Sequence, residues 1–455
     1  MPARAAGRVR QERAKGLFLM RRKMIMITNL DVWLLANDVK MPGAGNQTLY
    51  NTLLGYARAG WEVHLLTTSR TCERMAPVHD RVFIHRRPIL AVEVVQGFKR
   101  LVRRALAAVS PPRPLPRMRV EAGPPSKGLR RYARLFRWVM MRRAAALARR
   151  IGGVDLVYGI EILGAPAGRA AADRLGVPLV TRFQGTELSR HLDDPKRLLA
   201  DEIRVAATRT PADLIIMTND GSQGDKVLEL LGVPKEKVRF YMNGVVKDDV
   251  YRPRLDLASI RGRLGIAGHE VFILHSGRMF FWKRIDRHLE VLARVRRDFE
   301  DFKAVFIGEG PETEGAKALC ARLGLADRVR FVGAMPHDEA MNYLNACDVY
   351  IAFQDLSNLS NSPLEACVCG KCIVTTAVGG TTDLLTDGVS GVVVPEYDDV
   401  EKIAAGLLRV LKDPATRARL AAGAKQRGEA LRTWEERMHL EIEEVEQVLR
   451  ARGNA

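Results

Sequence analysis

The sequence predicts two successive α/β domains, each built on a doubly wound parallel sheet. Short, β-branched, almost wholly apolar runs recur along the chain, and longer amphipathic stretches separate them. Runs apolar on both faces read as strands covered on both sides, the condition of a parallel sheet, and the intervening helices supply its crossovers. A polar stretch, DDVYRPRLDLASIRGRLGI (248–266), divides the runs into two sets.

The first set is MIMIT (24–28), EVHLLTT (62–68), RVFIH (81–85), DLVYG (155–159), PLVTRF (178–183), DLIIMT (213–218) and VRFYM (238–242), with helical patterns at 46–60 and 165–176. The second is VFILHSG (271–277), KAVFIG (303–308), VRFVG (329–333), VYIAF (349–353), CIVTT (372–376) and GVVV (391–394). The expected division is a basic, disordered lead-in over 1–23 (with Met20, Met24 and Met26 as alternative starts), a first domain over 24–250, a second over 251–425, and a closing helix over 426–455. That helix carries an apolar stripe of Trp434, Met438, Ile442, Val445 and Val448.

Charge is unevenly placed. Residues 1–150 hold 31 Lys/Arg against 8 Asp/Glu, leaving 41 against 45 for the rest of a chain of net charge +19. The basic excess peaks at 97–150, where a proline-rich insertion (about 97–128) leads into GLRRYARLFRWVMMRRAAALARR (128–150). Two readings stand: a crossover helix with a solvated basic insertion, or a helix pair on an anionic membrane surface, with Phe98, Leu135, Phe136 and Trp138 entering the interface. Nucleic acid is not expected, because no helix-turn-helix, zinc finger or RNA-binding aromatic motif accompanies the charge. No run is long and apolar enough to span a bilayer, and the cysteines are scattered, so the expected location is cytoplasmic, with peripheral attachment to the inner membrane face.

Cys367, Cys369 and Cys372 crowd the stretch DLSNLSNSPLEACVCGKC (355–372). Three local sulfurs with no histidine within ten residues do not make a structural zinc site, and CIVTT is a buried-strand pattern, so these thiols are expected to pack a core. Other stretches carry more chemistry. After the strand ending at Ser276, Gly277 allows a tight turn, and Arg278 and Lys283 place two cations where a doubly wound sheet binds ligands. Gly308 and Glu309 open a glycine-rich turn before another helix. Gly45 sits in MPGAGNQTLYNTLL (41–54), and Ser362-Pro363 opens a helix whose N–H groups suit an anion, with Glu365 one turn further on.

Taken in order, these stretches resemble the retaining glycosyltransferases of family 4, which have the GT-B fold. SGR-x4-K, the GEGP turn, RFVGAMPHDEAMNYLNACDVYIAF and SNSPLEACVCGKCIVTTAVGGTTDLL carry the resemblance over about 270–412; GAGNQTLYNTLLGYARAGWEVHLLTT, VTRFQGTEL and VRFYMNGVV extend it loosely over the first domain. It implies two Rossmann-like domains facing across a cleft, with the last helix crossing back to the first. A nucleotide-diphosphate sugar, UDP- or GDP-linked, would bind the second domain without metal or cofactor. A lipid-linked or growing glycan acceptor would bind the first. Carried over by position, Arg278 and Lys283 would hold the diphosphate and Glu365 the ribose. The loop from Gly333 to Pro336 would touch the base, and backbone N–H groups of Asn361, Ser362 and Leu364 would meet phosphate and sugar oxygens.

Three positions depart from the pattern. The family's first motif glutamate is replaced by Ser357, followed by Asn358, with Asp355 two residues early. The usual His-Gly of the acceptor side is Gln184-Gly185. The usual NGVD is Asn243-Gly244-Val245-Val246. Serine and asparagine bind hydroxyls without charge assistance. These departures raise a second expectation, a nucleotide-binding module that has lost turnover.

Overall fold

The structure is a computed structural model, and it describes residues 22–30, 47–68, 78–89, 125–247, 257–356 and 358–453. Two parallel sheets form among them. The first joins β1 (Lys23–Thr28), β2 (Glu62–Thr67), β3 (Val82–Arg86), β4 (Leu156–Ile160), β5 (Leu179–Phe183), β6 (Leu214–Thr218) and β7 (Val238–Tyr241) in the order β3-β2-β1-β4-β5-β6-β7. The second joins β8 (Val271–Ser276), β9 (Phe302–Ile307), β10 (Val329–Gly333), β11 (Val349–Ala352), β12 (Cys372–Thr376) and β13 (Val392–Val394) in the order β10-β9-β8-β11-β12-β13. Every apolar run read as a strand is one.

Strands β4, β5, β6 and β12 are buried at every position, as double coverage by helices requires. Each sheet reverses its direction of winding once, between β1 and β4 and between β8 and β11. The carboxyl ends of strands flanking such a reversal open a crevice, so one crevice belongs to each sheet.

The chain after β13 returns to the first sheet. Val245 and Thr433 form an isolated parallel bridge, and the helix Trp434–Gly453 then packs Met438 and Val445 with Met24, Tyr56 and Tyr158. Glu441 is fully enclosed there. It accepts hydrogen bonds from the hydroxyl of Tyr158 (2.6 Å), from Arg182 Nη1 (3.1 Å) and more weakly from Tyr56 (3.3 Å), and it pairs with Arg437 at 3.1 Å. Burial raises the Glu441 carboxyl, but the two guanidinium charges and the hydrogen bonds outweigh it and hold the group ionised.

The helix Lys127–Ile151 is started by Ser126, whose hydroxyl accepts the Leu129 N–H. It packs Phe136, Met140, Ala144, Leu147 and Ala148 into the core of the first sheet. This corrects the expected membrane face in one particular: Phe136 is fully buried, whereas Leu135 and Trp138 are 38% and 52% exposed. Phe98 and the insertion up to residue 124 lie outside the described residues, as do the lead-in to residue 21, Gly45 and Ser357. No described helix is long and apolar enough to cross a membrane.

The three clustered cysteines pack as expected. Cys367, Cys369 and Cys372 are buried, and burial pushes the thiols of Cys367 and Cys372 up to about 12, which keeps them protonated and unreactive.

Removing Glu441 leaves Arg182 and Arg437 buried without their counter-charge. Glu441→Ala should lower stability by about 3–5 kcal/mol, read as a clear drop in urea or thermal midpoint; a change under about 1 kcal/mol would mean that water compensates the two guanidinium groups.

Candidate functional site

The loop that leaves β8 is locked to two others. Gly277 donates its N–H to Ile307 O (3.0 Å), Met279 to Glu309 O (3.0 Å), and Gly308 to Gly333 O (2.8 Å). Gly308 has φ +120°, and a Cβ there would lie 2.0 Å from the Gly277 carbonyl oxygen, so only glycine permits the approach. Gly277, Gly308, Glu309 and Gly333, read from separate motifs, are thus one surface at the carboxyl ends of β8, β9 and β10.

Arg278 and Lys283 arise from this surface. Arg278 keeps its side chain open to solvent although protein crowds it, and that crowding lowers its pKa. Lys283 is more enclosed: burial pulls its ammonium down to about 8, with Asp220 opposing the shift and Arg278 adding to it. Between them Phe280 and Trp282 stack with ring centres 4.8 Å apart, and Arg278 lies over Phe280. Beneath the loop, burial presses His275 down to about 4, and its ring hydrogen-bonds Ile351 O at 3.1 Å, so it is a neutral support.

After β11, which pairs with β8, comes the helix Asn361–Val368, whose N-cap residue Ser360 makes no side-chain capping bond. Its first turn, from Asn361 and Ser362 to Leu364, therefore presents an open backbone end. Glu365 follows, buried, and its Oε1 accepts from His337 Nε2 (2.8 Å) and Gln47 Nε2 (3.1 Å). Burial alone would raise this carboxyl, but the His337 charge and the two hydrogen bonds hold it below its usual value. Burial likewise pulls His337 down, and Glu365 more than reverses it, leaving the imidazole raised. His337 directly follows Pro336, so the Gly333–Pro336 loop runs to the glutamate.

Two polar residues near the departure from the family pattern have structural duties. Asn358 is buried and donates its amide to Thr376 O (2.9 Å) and Thr381 Oγ1 (3.2 Å). Asp355 is held by Arg284 at 3.2 Å and Arg287 at 2.7 Å. Asp355 is therefore engaged in an ion-pair network.

The first domain meets this surface through the loop after β6. Leu359 N–H donates to Asp220 O (2.9 Å), Gly380 N–H to Gly221 O (3.0 Å) and Asn219 Nδ2 to Asp383 Oδ2 (2.9 Å). Asn243 Nδ2 reaches Asn361 Oδ1 at 2.8 Å. Gln184 and Gly185 follow β5 behind this seam. Gly185 has φ +87°, and a Cβ on it would lie 2.3 Å from the carboxylate of Asp220. The Gln184 N–H donates to Oε1 of Glu161 at 2.8 Å.

Glu161, Asp220, His337 and Gln47 were not singled out from sequence. An acid one position beyond the end of β4, at the winding reversal, was a faint signal for Glu161; Asp220, which follows β6 away from the reversal, Gln47 and His337 had none.

Two parallel-sheet domains meeting at their strand carboxyl ends, with the last helix returned to the first sheet, define the GT-B glycosyltransferase fold. Solved structures with it include sucrose-phosphate synthase from Thermosynechococcus elongatus (TM-score 0.70, 20% identity, 95% of this chain and 100% of that one). The Anabaena protein HepE in complex with UDP and glucose matches at 0.65 and 18%, over 94% and 100%. The chain belongs to the glycosyl transferases group 1 family, whose model matches residues 258–427, with a glycosyl transferase 4-like domain over 43–244. Among curated relatives, a D-inositol 3-phosphate glycosyltransferase of Acidothermus cellulolyticus is 31% identical over 303 residues, 62% of this chain and 64% of that protein. One from Kribbella flavida is 30% identical over 310 residues, 64% and 71%. The chain spans just under two thirds of the first of these relatives.

Gly308→Ala should force apart the three locked loops. The expected result is a folded protein with an unchanged first domain and a disordered Gly277–Lys283 segment, seen as faster amide exchange at 277–283; unchanged exchange would show that the close approach is dispensable.

Proposed function

We propose that the chain is a retaining glycosyltransferase that moves a sugar from a nucleotide-diphosphate donor on the second domain to an acceptor on the first. One observation carries this reading: at the carboxyl ends of adjacent strands, two cations, Arg278 and Lys283, follow β8, and a helix start without a side-chain cap and a buried, ionised Glu365 follow β11. A diphosphate needs the first two features, and a ribose diol needs the third. In this reading the donor's sugar and phosphate oxygens meet the first-turn backbone of Asn361, Ser362 and Leu364, and its base meets Gly333–Pro336. Departure of the diphosphate is assisted by charges fixed beforehand, without a metal.

The acceptor is proposed to be a lipid-linked or growing glycan, met at the cytoplasmic face of a membrane. The helix Lys127–Ile151 supports this, since its outer face exposes Arg131, Arg134, Leu135, Trp138 and Arg142 together. Arginines beside an exposed indole suit an anionic headgroup layer, and the guanidinium of Arg142 already lies 4.7 Å from the Trp138 ring centre. Kinship to inositol-phosphate glycosyltransferases and likeness to a UDP-glucose complex of HepE are in keeping with a sugar-nucleotide donor.

Calorimetry with UDP and GDP tests the donor site. Arg278→Ala should weaken binding about 10- to 100-fold, the worth of one charge-assisted contact; binding that survives unchanged would overturn the assignment. The pH dependence has a definite sign. Lys283 holds its charge below about 8 and loses it above, so nucleotide affinity should fall as pH rises through that value. Lys283→Arg should flatten this fall.

Cosedimentation tests the membrane face. Replacing Arg131, Arg134 and Arg142 by alanine should remove about 1 kcal/mol of attraction each for phosphatidylserine vesicles, and equal binding by the variant would reject that face.

A further inference from the structure

Among the described residues, three that are not glycine adopt left-handed backbone: Glu161 (φ 64°), Gln223 (φ 52°) and Arg284 (φ 49°). All three lie at the cleft. Arg284 follows Lys283, and Gln223 ends the loop that docks on the second domain. Glu161 directly follows β4, at the winding reversal of the first sheet, and the helix Glu161–Leu175 begins on it without an intervening loop. Such a conformation costs about 1–3 kcal/mol in a residue with a side chain. Glycine would relieve it, so the side chain itself is the feature that calls for an explanation.

Its surroundings supply one. The Glu161 carboxylate accepts the Gln184 N–H, while the Asp220 carboxylate packs against Gly185. Two carboxylates therefore bracket one dipeptide at the end of β5. Asp220 also faces the donor half: its carbonyl is bonded to Leu359, and its charge acts on Lys283. Glu161 is only partly exposed and takes part in no ion pair among the described residues.

We propose that Glu161 receives the incoming hydroxyl of the acceptor, accepting its hydrogen bond and aiming its oxygen at the donor sugar. This rests on the donor reading above. In the transfer, the bond from the sugar's anomeric carbon to the diphosphate oxygen breaks and its electron pair leaves with the diphosphate. The acceptor oxygen bonds to that carbon, and its proton passes to the departing phosphate. With Asp220 alongside, the site suits the uncharged, hydroxyl-bearing end of an acceptor and repels a phosphate at that point.

The carboxyl is also tuned for a visible signature. Burial raises it to about 7; the Gln184 N–H and Arg182 oppose the rise, and Asp220 adds to it. Arg182 and Asp220 are the charged groups acting on it among the described residues. Only the ionised form accepts a hydrogen bond from a hydroxyl through both oxygens, so turnover should climb as pH rises through about 7.

The test uses water as the incoming hydroxyl, in hydrolysis of UDP-glucose and GDP-mannose by the full chain. Glu161→Gln keeps an oxygen for the Gln184 N–H. It should lower kcat about tenfold or more, abolish the pH limb near neutrality, and leave donor KM and UDP or GDP affinity unchanged. Loss of nucleotide affinity along with kcat would mark Glu161 as merely structural and overturn the proposal. So would a kcat and pH profile equal to wild type, or a wild type that binds nucleotide and cleaves neither donor. A wild type that binds no nucleotide would overturn the donor reading itself, and this inference with it.

Discussion

Glu441 lies between Arg182 and Arg437 with no access to solvent, and the geometry of the cleft depends on that contact. Its helix is reached only after the chain has completed the second sheet, yet its carboxylate answers a guanidinium on β5 of the first. A buried charge without its partner is strongly unfavourable, so the helix has one seating and the two sheets keep one relation. Arg182 occupies the penultimate position of β5, two residues before Gln184. The same strand end is thereby fixed from behind by a charge and presented in front to the cleft.

Short polar contacts then bridge the cleft. Backbone bonds from Leu359 and Gly380 to the loop after β6, and the Asn243–Asn361 and Gln47–Glu365 pairs, join the halves. Each is worth about 1 kcal/mol net. The helix anchored by Glu441 joins the two domains independently of this seam. Backbone strain is concentrated in the same place, at Glu161, Gln223 and Arg284, which is where a hinge or a ligand contact would use it.

The second sheet was legible because its signals are local. Fully apolar runs, glycines at strand ends and a proline-opened helix each act within a few residues, and together they located Arg278, Lys283, Gly308 and Glu365. Glu365 stood out in the sequence, but its partners His337 and Gln47 come from elsewhere in the chain, and one of them from the other domain. The arginine-rich helix was legible as amphipathic, but not which edge of its apolar arc turns inward. Phe136 and Leu135 are neighbours, and only packing against the helix Glu161–Leu175 decides that the first is buried and the second exposed. Glu161 was hard to single out for a further reason. An acid at the start of a helix is ordinary, and only the observed φ and enclosure make it unusual.

Charge across the site is arranged in opposition. The second domain offers Arg278, Lys283 and an open helix start, all of which favour an anion. The first offers Glu161 and Asp220, which disfavour one. In the proposed reading, a diphosphate donor would lie with its phosphates on the cations and its sugar toward the carboxylates. Asp220 couples the two halves, because the same carboxylate sustains the charge of Lys283 and raises the proton affinity of Glu161.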